Sequence, residues 1–267
     1  MNFIEQAAAM KGKVALVTGA GSGIGKATAL ALASTGVRVA ALTLKQSEAD
    51  QTAEEIRKAG GEALPLEADV SDAEDFARAV AEVEKRWGRL DIAVANAGVN
   101  GVWAPIDEIA EDEWEKVFDI NLKGTYLTVK LCLPLLKKNG GAIAIVASVN
   151  GTRIFSNSGA SAYATTKAGQ VAFGRMMALE LAKHRIRVNT VCPGAIDTKI
   201  DDNTEERDID KAREPVIFPE GKIPLIEGDA GTADQVAQVI WFLCSPLASH
   251  VTGAEIFVDG GESLLQG

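Results

Sequence analysis

Short apolar segments and helix-like segments alternate along almost the whole chain, and this alternation limits the fold more than any other feature. Strands are predicted at 14–17, 37–42, 63–66, 90–95, 142–147, 186–191 and 255–258. Each is a continuous apolar run, which is typical of parallel strands that are buried on both faces of a sheet. The sequence therefore predicts an α/β fold: a single doubly wound Rossmann-type domain over 1–267, with a seven-stranded parallel sheet and helices on both faces.

Capping residues mark several helix ends between these strands. Ser71 and Glu74 have the spacing of a capping box that opens a helix, and Gly88 is suited to end it. Thr232 and Gln235 repeat the same box near the end of the chain. These signals place helices where the alternating fold requires them.

Residues 195–231 are the exception to this regularity. The segment is charged, holds Pro215, Pro219 and Pro224, and has little periodicity. A long insertion after a sheet strand is usually functional. We expect it to form a lid over a substrate, with a surface loop as the alternative.

The composition excludes several classes of function. A formal net charge of −10 gives no general attraction to nucleic acid or to an anionic membrane, and no apolar stretch has the length of a membrane span. The three cysteines are isolated from one another and from the two histidines, so no metal site is expected. Their wide spacing suits a reducing cytoplasm, where we expect the protein to be located.

Tyr163 and Lys167 are the strongest candidates for chemistry. They lie four residues apart in a predicted helix over 160–182, so their side chains would share one face. A tyrosine with an ordinary pKa near about 10 is a poor acid or base at neutral pH, but a buried cation beside it would lower that pKa. The pair is therefore suited to proton transfer with an alcohol or carbonyl oxygen.

A glycine-rich turn follows the first predicted strand and precedes the first helix. It occupies 18–25, with Gly19, Gly23 and Gly25 in a G-x-x-x-G-x-G spacing. Glycines permit a tight turn and a close approach of the backbone, and the helix start adds free N–H groups and a positive dipole. In this strand–turn–helix context the motif predicts binding of a dinucleotide pyrophosphate, and a P-loop is excluded because the turn lacks a G-K-[ST] ending.

Taken in order, these motifs resemble the short-chain dehydrogenase/reductase family over about 13–261. The residues that carry the resemblance are Gly19, Gly23, Gly25, Asp69, Val70, Asn96, Ala97, Gly98, Asn121, Ser148, Tyr163, Lys167, Pro193, Gly194, Thr198 and 259–261. The resemblance implies an enzyme that interconverts a carbonyl and a secondary alcohol by hydride transfer to or from NAD(P). One departure is a longer separation of Ser148 from Tyr163, where 153–158 looks like a small insertion that would border the substrate cleft.

The family pattern assigns four catalytic residues. Tyr163 would exchange a proton with the substrate oxygen, and Ser148 would hydrogen-bond that oxygen. Lys167 would bind the nicotinamide ribose and lower the Tyr163 pKa, and Asn121 would hold a water that links Lys167 to solvent. Structural alternatives stay open for two of them, because Ser148 would also suit a strand-end cap and Asn121 a bend in its helix.

The resemblance also implies a set of residues around the dinucleotide. They are Gly19, Ser22, Gly23, Ile24, Gly25, Thr43, Lys45, Asp69, Val70, Asn96, Ala97, Gly98, Tyr163, Lys167, Pro193, Gly194, Ile196 and Thr198. Asp69 would contact the adenine, whereas Pro193 and Gly194 would flank the nicotinamide. Thr198 would contact the nicotinamide amide or simply cap a loop.

The end of the second strand bears on the choice between NADP(H) and NAD(H). An acid there binds the adenosine ribose hydroxyls and repels a 2′-phosphate. Thr43 occupies this place, Lys45 adds a nearby positive charge, and no carboxylate follows until Glu48. This arrangement favours NADP(H). NAD(H) stays the alternative, because Ser22 stands where many NADP-using relatives carry a basic residue.

The motifs do not specify which small carbonyl compound or alcohol is the substrate. Candidate cleft residues are Asn100, Trp103, Arg153 and Phe155. A 3-oxoacyl-acyl-carrier-protein reductase is one specific alternative, which would need a basic docking patch for its acidic partner. A non-catalytic dinucleotide-binding regulator on the same fold is another.

The resemblance further implies a homotetramer. Helices over 111–138 and 160–182 would pair across one two-fold interface. Residues 241–243 and the last strand would form another, in the isologous manner that is common in symmetric assemblies.

Overall fold

Seven parallel strands form a central sheet in the described part of the chain. The computed structural model describes residues 8–214, 223–226 and 229–265. The strands are β1 (Val14–Thr18), β2 (Arg38–Thr43), β3 (Ala63–Glu67), β4 (Ile92–Ala95), β5 (Gly141–Val146), β6 (Ile186–Pro193) and β7 (Glu255–Val258). Their order across the sheet is β7-β6-β5-β4-β1-β2-β3. The predicted fold class is confirmed, and each strand lies within two residues of its predicted bounds.

The strands are continuous apolar runs because both faces of the sheet are covered. Along β1, Val14 and Leu16 pack in one apolar layer, while Ala15 and Val17 pack in the other. β1 lies inside the sheet and pairs in parallel with β2 on one side and β4 on the other. A strand in this position has no solvated face, which explains why its sequence does not alternate.

Helices cover the two faces as predicted. They are α1 (Gly23–Ser34), α2 (Gln46–Lys58), α3 (Ala73–Trp87), α4 (Glu111–Val117), α5 (Gly124–Asn139), α6 (Ser161–Ala182), α7 (Ala233–Cys244) and the short α8 (Glu262–Leu265). One apolar layer carries Phe76 of α3, Leu136 of α5 and Leu181 of α6. The other carries Leu32 of α1, Ile56 of α2 and Ile240 of α7.

The predicted start of α3 is wrong by one position. Asp72 and not Ser71 is the N-cap, because the Asp72 carboxylate accepts from first-turn N–H groups, including that of Glu74 at 2.9 Å. The Ser71 N–H and hydroxyl instead donate to Asp69 Oδ1 at 2.8 and 2.6 Å. Gly88 ends the helix with a φ of 68°, as predicted.

The predicted long helix over 111–138 is interrupted in its middle. α4 ends at Val117, the chain is π-helical over Phe118–Lys123, and α5 begins at Gly124. π-helical turns are rare and occur mostly at functional sites. Asn121 lies in this turn, so an irregularity of the backbone sets its position.

Short strands tie the irregular segment 195–231 to the rest of the fold. Ile196–Asp197 pairs in parallel with Gly231–Thr232, and Thr204–Glu206 pairs with Gly101–Trp103. The segment is therefore anchored at both of its described ends.

The end of this segment leads directly into α7. Thr232 N–H donates to Gln235 Oε1 at 2.8 Å and Gln235 N–H donates to Thr232 Oγ1 at 3.3 Å, which confirms the predicted capping box. Residues 215–222 and 227–228 lie outside the described residues. The predicted lid is thus described only in part and stays a prediction.

Three further properties concern the described residues as a whole. None of their helices combines the length and apolarity needed to cross a membrane. Their His, Cys, Asp and Glu side chains form no cluster of three or more that would hold a metal ion. All three cysteines are buried and free.

Candidate active site

The carboxyl ends of the central strands meet at a cleft. The chain leaves β1 towards β2, while β4 returns on the opposite side of β1, so the strand order reverses at this point. Ligands of open α/β sheets bind at such a reversal. The cleft has a volume of about 640 Å³. Predicted site residues in its lining are Ile24, Asn96, Gly98, Ser148, Tyr163, Lys167, Pro193, Gly194, Ile196 and Thr198.

Tyr163 and Lys167 lie on one face of α6 and line this cleft, as their spacing predicts. Both are buried, with 7% of Tyr163 and 3% of Lys167 exposed. The Lys167 Nζ atom lies 5.4 Å from the centre of the Tyr163 ring and donates to the Val146 carbonyl at 3.0 Å. The end of β5 therefore holds the amine beside the phenol.

The predicted lowering of the Tyr163 pKa is wrong in this structure. Burial raises the pKa of Tyr163 to about 12, a hydrogen bond with Ser148 opposes the rise, and the Asp201 carboxylate adds to it. Burial also lowers the pKa of Lys167 to about 8. The spacing indicates that the amine is near the phenol, but it does not indicate that both groups are removed from water. Desolvation disfavours the charged form of each group.

Ser148 lies just beyond the end of β5 and lines the same cleft as the phenol. Its interaction with the Tyr163 side chain lowers the pKa of the phenol. The Asn150 N–H donates to Ser148 Oγ at 3.1 Å and orients the hydroxyl. The predicted proximity of Ser148 to Tyr163 is therefore met in spite of the longer separation in sequence.

Asn121 connects the segment after β4 to the helix that carries Tyr163. Its side chain accepts from the Val99 N–H at 2.8 Å and donates to the Val99 carbonyl at 2.9 Å and to the Thr166 hydroxyl at 3.1 Å. Its main-chain carbonyl accepts from the Gln170 side chain at 2.9 Å. These contacts fit the alternative role in the helix bend, and the predicted water link stays a prediction.

The glycine turn fits the pyrophosphate of a dinucleotide. A Cβ on Gly25 would lie 2.1 Å from the Gly19 carbonyl oxygen, and a Cβ on Gly19 would lie 2.8 Å from Asn96 Nδ2. Within the described structure, Ser22 stands at the N-cap of α1 without a side-chain capping bond. The first N–H groups of α1 are thus available to an anion.

The residues that follow β4 hold the turn from the other side. Asn96 Nδ2 donates to the Thr18 carbonyl at 3.0 Å, and the Ala97 N–H donates to the Thr18 hydroxyl at 3.1 Å. A Cβ on Gly98 would lie 3.6 Å from Lys167 Nζ. This segment therefore runs from the glycine turn directly past the buried amine.

The turn after β6 is held by a residue that the motifs do not identify. The Ala195 N–H donates to Glu262 Oε2 at 2.9 Å, and a Cβ on Gly194 would lie 2.6 Å from the same oxygen. Glu262 is 7% exposed and directly follows the predicted ending at 259–261. The Glu262 carboxylate thus occupies the space that a side chain at position 194 would need.

Thr198 lines the cleft and packs against the glycine turn. A Cβ on Gly23 would lie 3.2 Å from the Thr198 side chain. The Thr198 hydroxyl accepts from the Ile200 N–H at 3.4 Å, so the alternative role as a loop cap is realised. The nicotinamide contact stays a prediction.

Asp69 and Val70 follow β3 at the same edge of the sheet. Asp69 Oδ1 accepts from the Ser71 hydroxyl, so one carboxylate oxygen is engaged within the loop. Val70 is buried, and a Cβ on Gly124 would lie 2.9 Å from Val70 Cγ2. Val70 thus packs at the start of α5, and the predicted adenine contact of Asp69 stays a prediction.

Thr43 and Lys45 lie at the end of β2, as predicted, but both are engaged. The Thr43 hydroxyl donates to the Lys45 carbonyl at 2.6 Å. Lys45 Nζ lies 3.5 Å from Glu48 Oε1. Glu48, the first acidic residue after Thr43 in the sequence, therefore also lies close to Lys45 in space.

Other parts of the cleft lining lie outside the recognised motifs. They include Asn150, Ile154, Asn157, Ile200, Asp201, Asp229 and Glu262. Asn100 and Trp103 line the cleft as expected, whereas Phe155 lines a neighbouring cavity. The Arg153 guanidinium instead stacks on Phe257, 3.5 Å from the ring centre. Only their position in the sequence could have identified these residues, because each of them follows a strand or lies in a predicted insertion.

Known proteins share this arrangement over almost the whole chain. The family model described as enoyl-(acyl carrier protein) reductase matches residues 19–263. A solved structure described as a 3-ketoacyl-ACP reductase from Sinorhizobium meliloti is 53% identical, covers 94% of this chain and 99% of its own, and has a TM-score of 0.92. Among curated proteins, a 3-oxoacyl-acyl-carrier-protein reductase of Thermotoga maritima is 38% identical over 94% of this chain and 98% of its own length. A cyclohexanol dehydrogenase of Acinetobacter is 37% identical over 93% of this chain and 94% of its own length.

Proposed function

Because the chain belongs to the short-chain dehydrogenase/reductase family, we propose that Tyr163 is the acid–base group of its reaction, supported by Ser148, Lys167 and Asn121. The protein is an NAD(P)(H)-dependent oxidoreductase that interconverts a carbonyl and a secondary alcohol. The observation that carries the proposal is that Tyr163, Ser148 and Lys167 are buried side by side in the lining of one cleft, with Lys167 Nζ 5.4 Å from the centre of the phenol ring.

In the reducing direction, the neutral phenol is the proton donor. With its pKa raised to about 12, Tyr163 keeps its proton at neutral pH and gives it to the substrate oxygen as negative charge develops there. The Ser148 hydroxyl donates a hydrogen bond to the same oxygen. Lys167 stabilises the phenolate that remains, because an ammonium group nearby favours the charged form. In the oxidising direction the same groups act in reverse.

The glycine turn, the segment after β4 and the segment after β6 would hold a nicotinamide dinucleotide. When bound, this group supplies or accepts the hydride. The close-packed glycines and the open start of α1 support the pyrophosphate position. The remaining predicted contacts belong to the proposal; they are Ser22, Ile24, Thr43, Lys45, Asp69, Val70, Ala97, Pro193, Ile196 and Thr198. The finer, sequence-based prediction of NADP(H) is weakened by Glu48, which lies beside Lys45.

A 3-oxoacyl-acyl-carrier-protein reductase is the specific alternative that similarity favours, since the 53% identical structure carries a description of that kind. An acidic carrier protein would need a basic docking patch. Three basic residues could contribute to such a patch. Lys137 and Lys138 lie in the last turn of α5, and the backbone of Arg185 packs against Gly140, which follows this helix. Reduction of a 3-oxoacyl thioester on its carrier, at a higher kcat/KM than simple ketones, would support this alternative, and inactivity on the thioester would exclude it.

Tyr163→Phe tests the proposal, and the chain offers a matched control. The phenylalanine keeps the ring but removes the hydroxyl, so turnover should be lost while nucleotide binding is kept. The second tyrosine, Tyr126, is 44% exposed on α5, and Tyr126→Phe should retain activity. The measurement is nicotinamide absorbance with a panel of ketones and alcohols, together with a nucleotide titration. Unchanged turnover in Tyr163→Phe would reject the proposed proton donor.

We further propose that 1–267 is one domain and that 195–231 closes over the substrate. Ile200 and Asp201 of this segment line the cleft, which supports the proximity that a lid requires. Arg207 ties this segment to α4, because its guanidinium donates to Glu113 Oε1 at 2.5 Å.

The proposed assembly is a homotetramer located in the cytoplasm. Two large apolar side chains on α6 support an interface there, since Leu179 is 82% exposed and Met176 is 65% exposed. The free cysteines support a reducing compartment. Sedimentation that shows only the monomer would contradict the assembly.

A further inference from the structure

A carboxylate lies against the glycine turn at the end of β2. A Cβ on Gly21 would lie 2.8 Å from Glu48 Cβ, 2.8 Å from Glu48 Oε2 and 3.1 Å from Thr43 Cγ2. Glu48 belongs to the first turn of α2, which begins at Gln46, only three residues beyond the last residue of β2. The start of the helix thus returns its carboxylate to the place where the strand ends.

The groups that would attract a phosphate at this place are already engaged. The Thr43 hydroxyl donates to the Lys45 carbonyl at 2.6 Å, and Thr43 is only 3% exposed. The ammonium group of Lys45 lies 3.5 Å from Glu48 Oε1 and is the partner of that carboxylate. The sequence predicts that the positive charge of Lys45 binds a 2′-phosphate. In the structure this charge is offset by the negative charge of Glu48 beside the glycine turn.

We infer that Glu48 recognises the adenosine ribose and makes this chain an NAD(H)-preferring enzyme. The inference rests on the proposed dinucleotide site at the glycine turn. A carboxylate accepts hydrogen bonds from vicinal ribose hydroxyls, and an acid at this edge of the fold selects NAD in this way. A phosphate monoester carries about −1.5 to −2 charges at neutral pH, so the same carboxylate repels a 2′-phosphate. This reverses the preference for NADP(H) that Thr43 and Lys45 predict from sequence.

Direct binding measurements test the inference without relying on turnover. Titration calorimetry is carried out with three proteins: the wild type, Glu48→Gln and Glu54→Gln. Each protein is titrated once with NADH and once with NADPH, which gives one dissociation constant for each nucleotide. Wild type should bind NADH at least about tenfold more tightly than NADPH. Glu48→Gln keeps the shape but removes the charge, and should lower this ratio at least about tenfold. Glu54 lies in the same helix, is exposed and pairs with Lys58 at 2.7 Å, so Glu54→Gln should leave the ratio unchanged.

The possible outcomes separate the inference from the proposed function. Equal or tighter binding of NADPH by wild type, or an unchanged ratio in Glu48→Gln, overturns the role of Glu48 while the dinucleotide site stands. Failure of wild type to bind either nucleotide overturns the site and the inference together. Should Glu48→Gln fail to fold, Lys45→Gln gives the second test: the preference for NADH should persist, and a selective loss of NADPH binding would assign the site to Lys45 and NADP(H).

Discussion

Replacement of Asn121 by alanine should destabilise the fold and slow the reaction together. The side chain makes three hydrogen bonds, two with the backbone of Val99 and one with the Thr166 hydroxyl. Asn121 is 0% exposed, and the half-buried Val99 loses the side-chain partner of both its N–H and its carbonyl. The Thr166 hydroxyl still has a partner, because it donates to the Tyr163 carbonyl at 2.7 Å.

The magnitude follows from these contacts. A typical hydrogen bond contributes about 1 kcal/mol, and a buried group left without a partner costs about 1–3 kcal/mol. Asn121→Ala should therefore lower the unfolding free energy by about 3 kcal/mol. For a chain of this size that corresponds to a fall in Tm of roughly 6–12 °C.

The effect on activity follows from what Val99 holds in place. It continues the segment in which Gly98 packs near Lys167 Nζ, so loss of the anchor misplaces the amine and the phenol. A small misplacement of catalytic groups lowers rates by about 10²-fold, and kcat/KM should fall by at least about tenfold. Thermal unfolding and steady-state kinetics measure both effects, with Asn139→Ala as the control because Asn139 is exposed at the end of α5.

Two results would refute this reasoning in different ways. A Tm and a kcat/KM that both match those of Asn139→Ala would mean that the Val99 contacts contribute nothing measurable. A lowered Tm with full activity would confine Asn121 to supporting the helix bend.

Two further predictions concern the titration of the buried groups. Burial lowers the pKa of Lys167 to about 8 from 10.5, so between these pH values the unfolded chain holds a proton that the folded chain lacks, and stability rises with pH there. Equilibrium unfolding at about pH 7 and about pH 9.5 should show wild type gaining stability relative to Lys167→Met, and a flat difference would contradict the lowered pKa. The Asp201 carboxylate raises the pKa of Tyr163, so Asp201→Asn should lower that pKa and shift the rise of alcohol oxidation to lower pH. An unchanged profile of kcat/KM against pH would show that Asp201 does not act on the phenol.

Much of the fold is predictable because its signals are local. The apolar runs of β1 to β7 reflect burial on both faces, and the glycine turn is recognisable because it stands between the first strand and the first helix. The spacing of Tyr163 and Lys167 is likewise local, since one helix presents both side chains.

The errors arise where distant residues decide the local structure. The interruption at Phe118–Lys123 holds the Asn121 main-chain carbonyl against Gln170, which lies 49 residues away in sequence. The start of α3 offers two adjacent candidate caps, Ser71 and Asp72, and the engagement of Ser71 by Asp69 leaves Asp72 as the N-cap. The pKa of Tyr163 depends on how deeply the finished fold buries it, which no spacing of residues expresses.

The cofactor argument shows the same limit at a single carboxylate. The residue at the end of β2 is Thr43, so a rule based on this position alone predicts that no carboxylate contacts the ribose. Side chains on a helix project towards its N-terminus, so an acid in the first turn of the next helix can reach back to the strand end. α2 begins early enough for Glu48 to do so, and its carboxylate lies against Gly21 of the nucleotide turn. The relevant position is therefore defined by distance to the glycine turn and not by distance along the chain. For this reason our inference about the nucleotide rests on the three-dimensional arrangement of Thr43, Lys45 and Glu48.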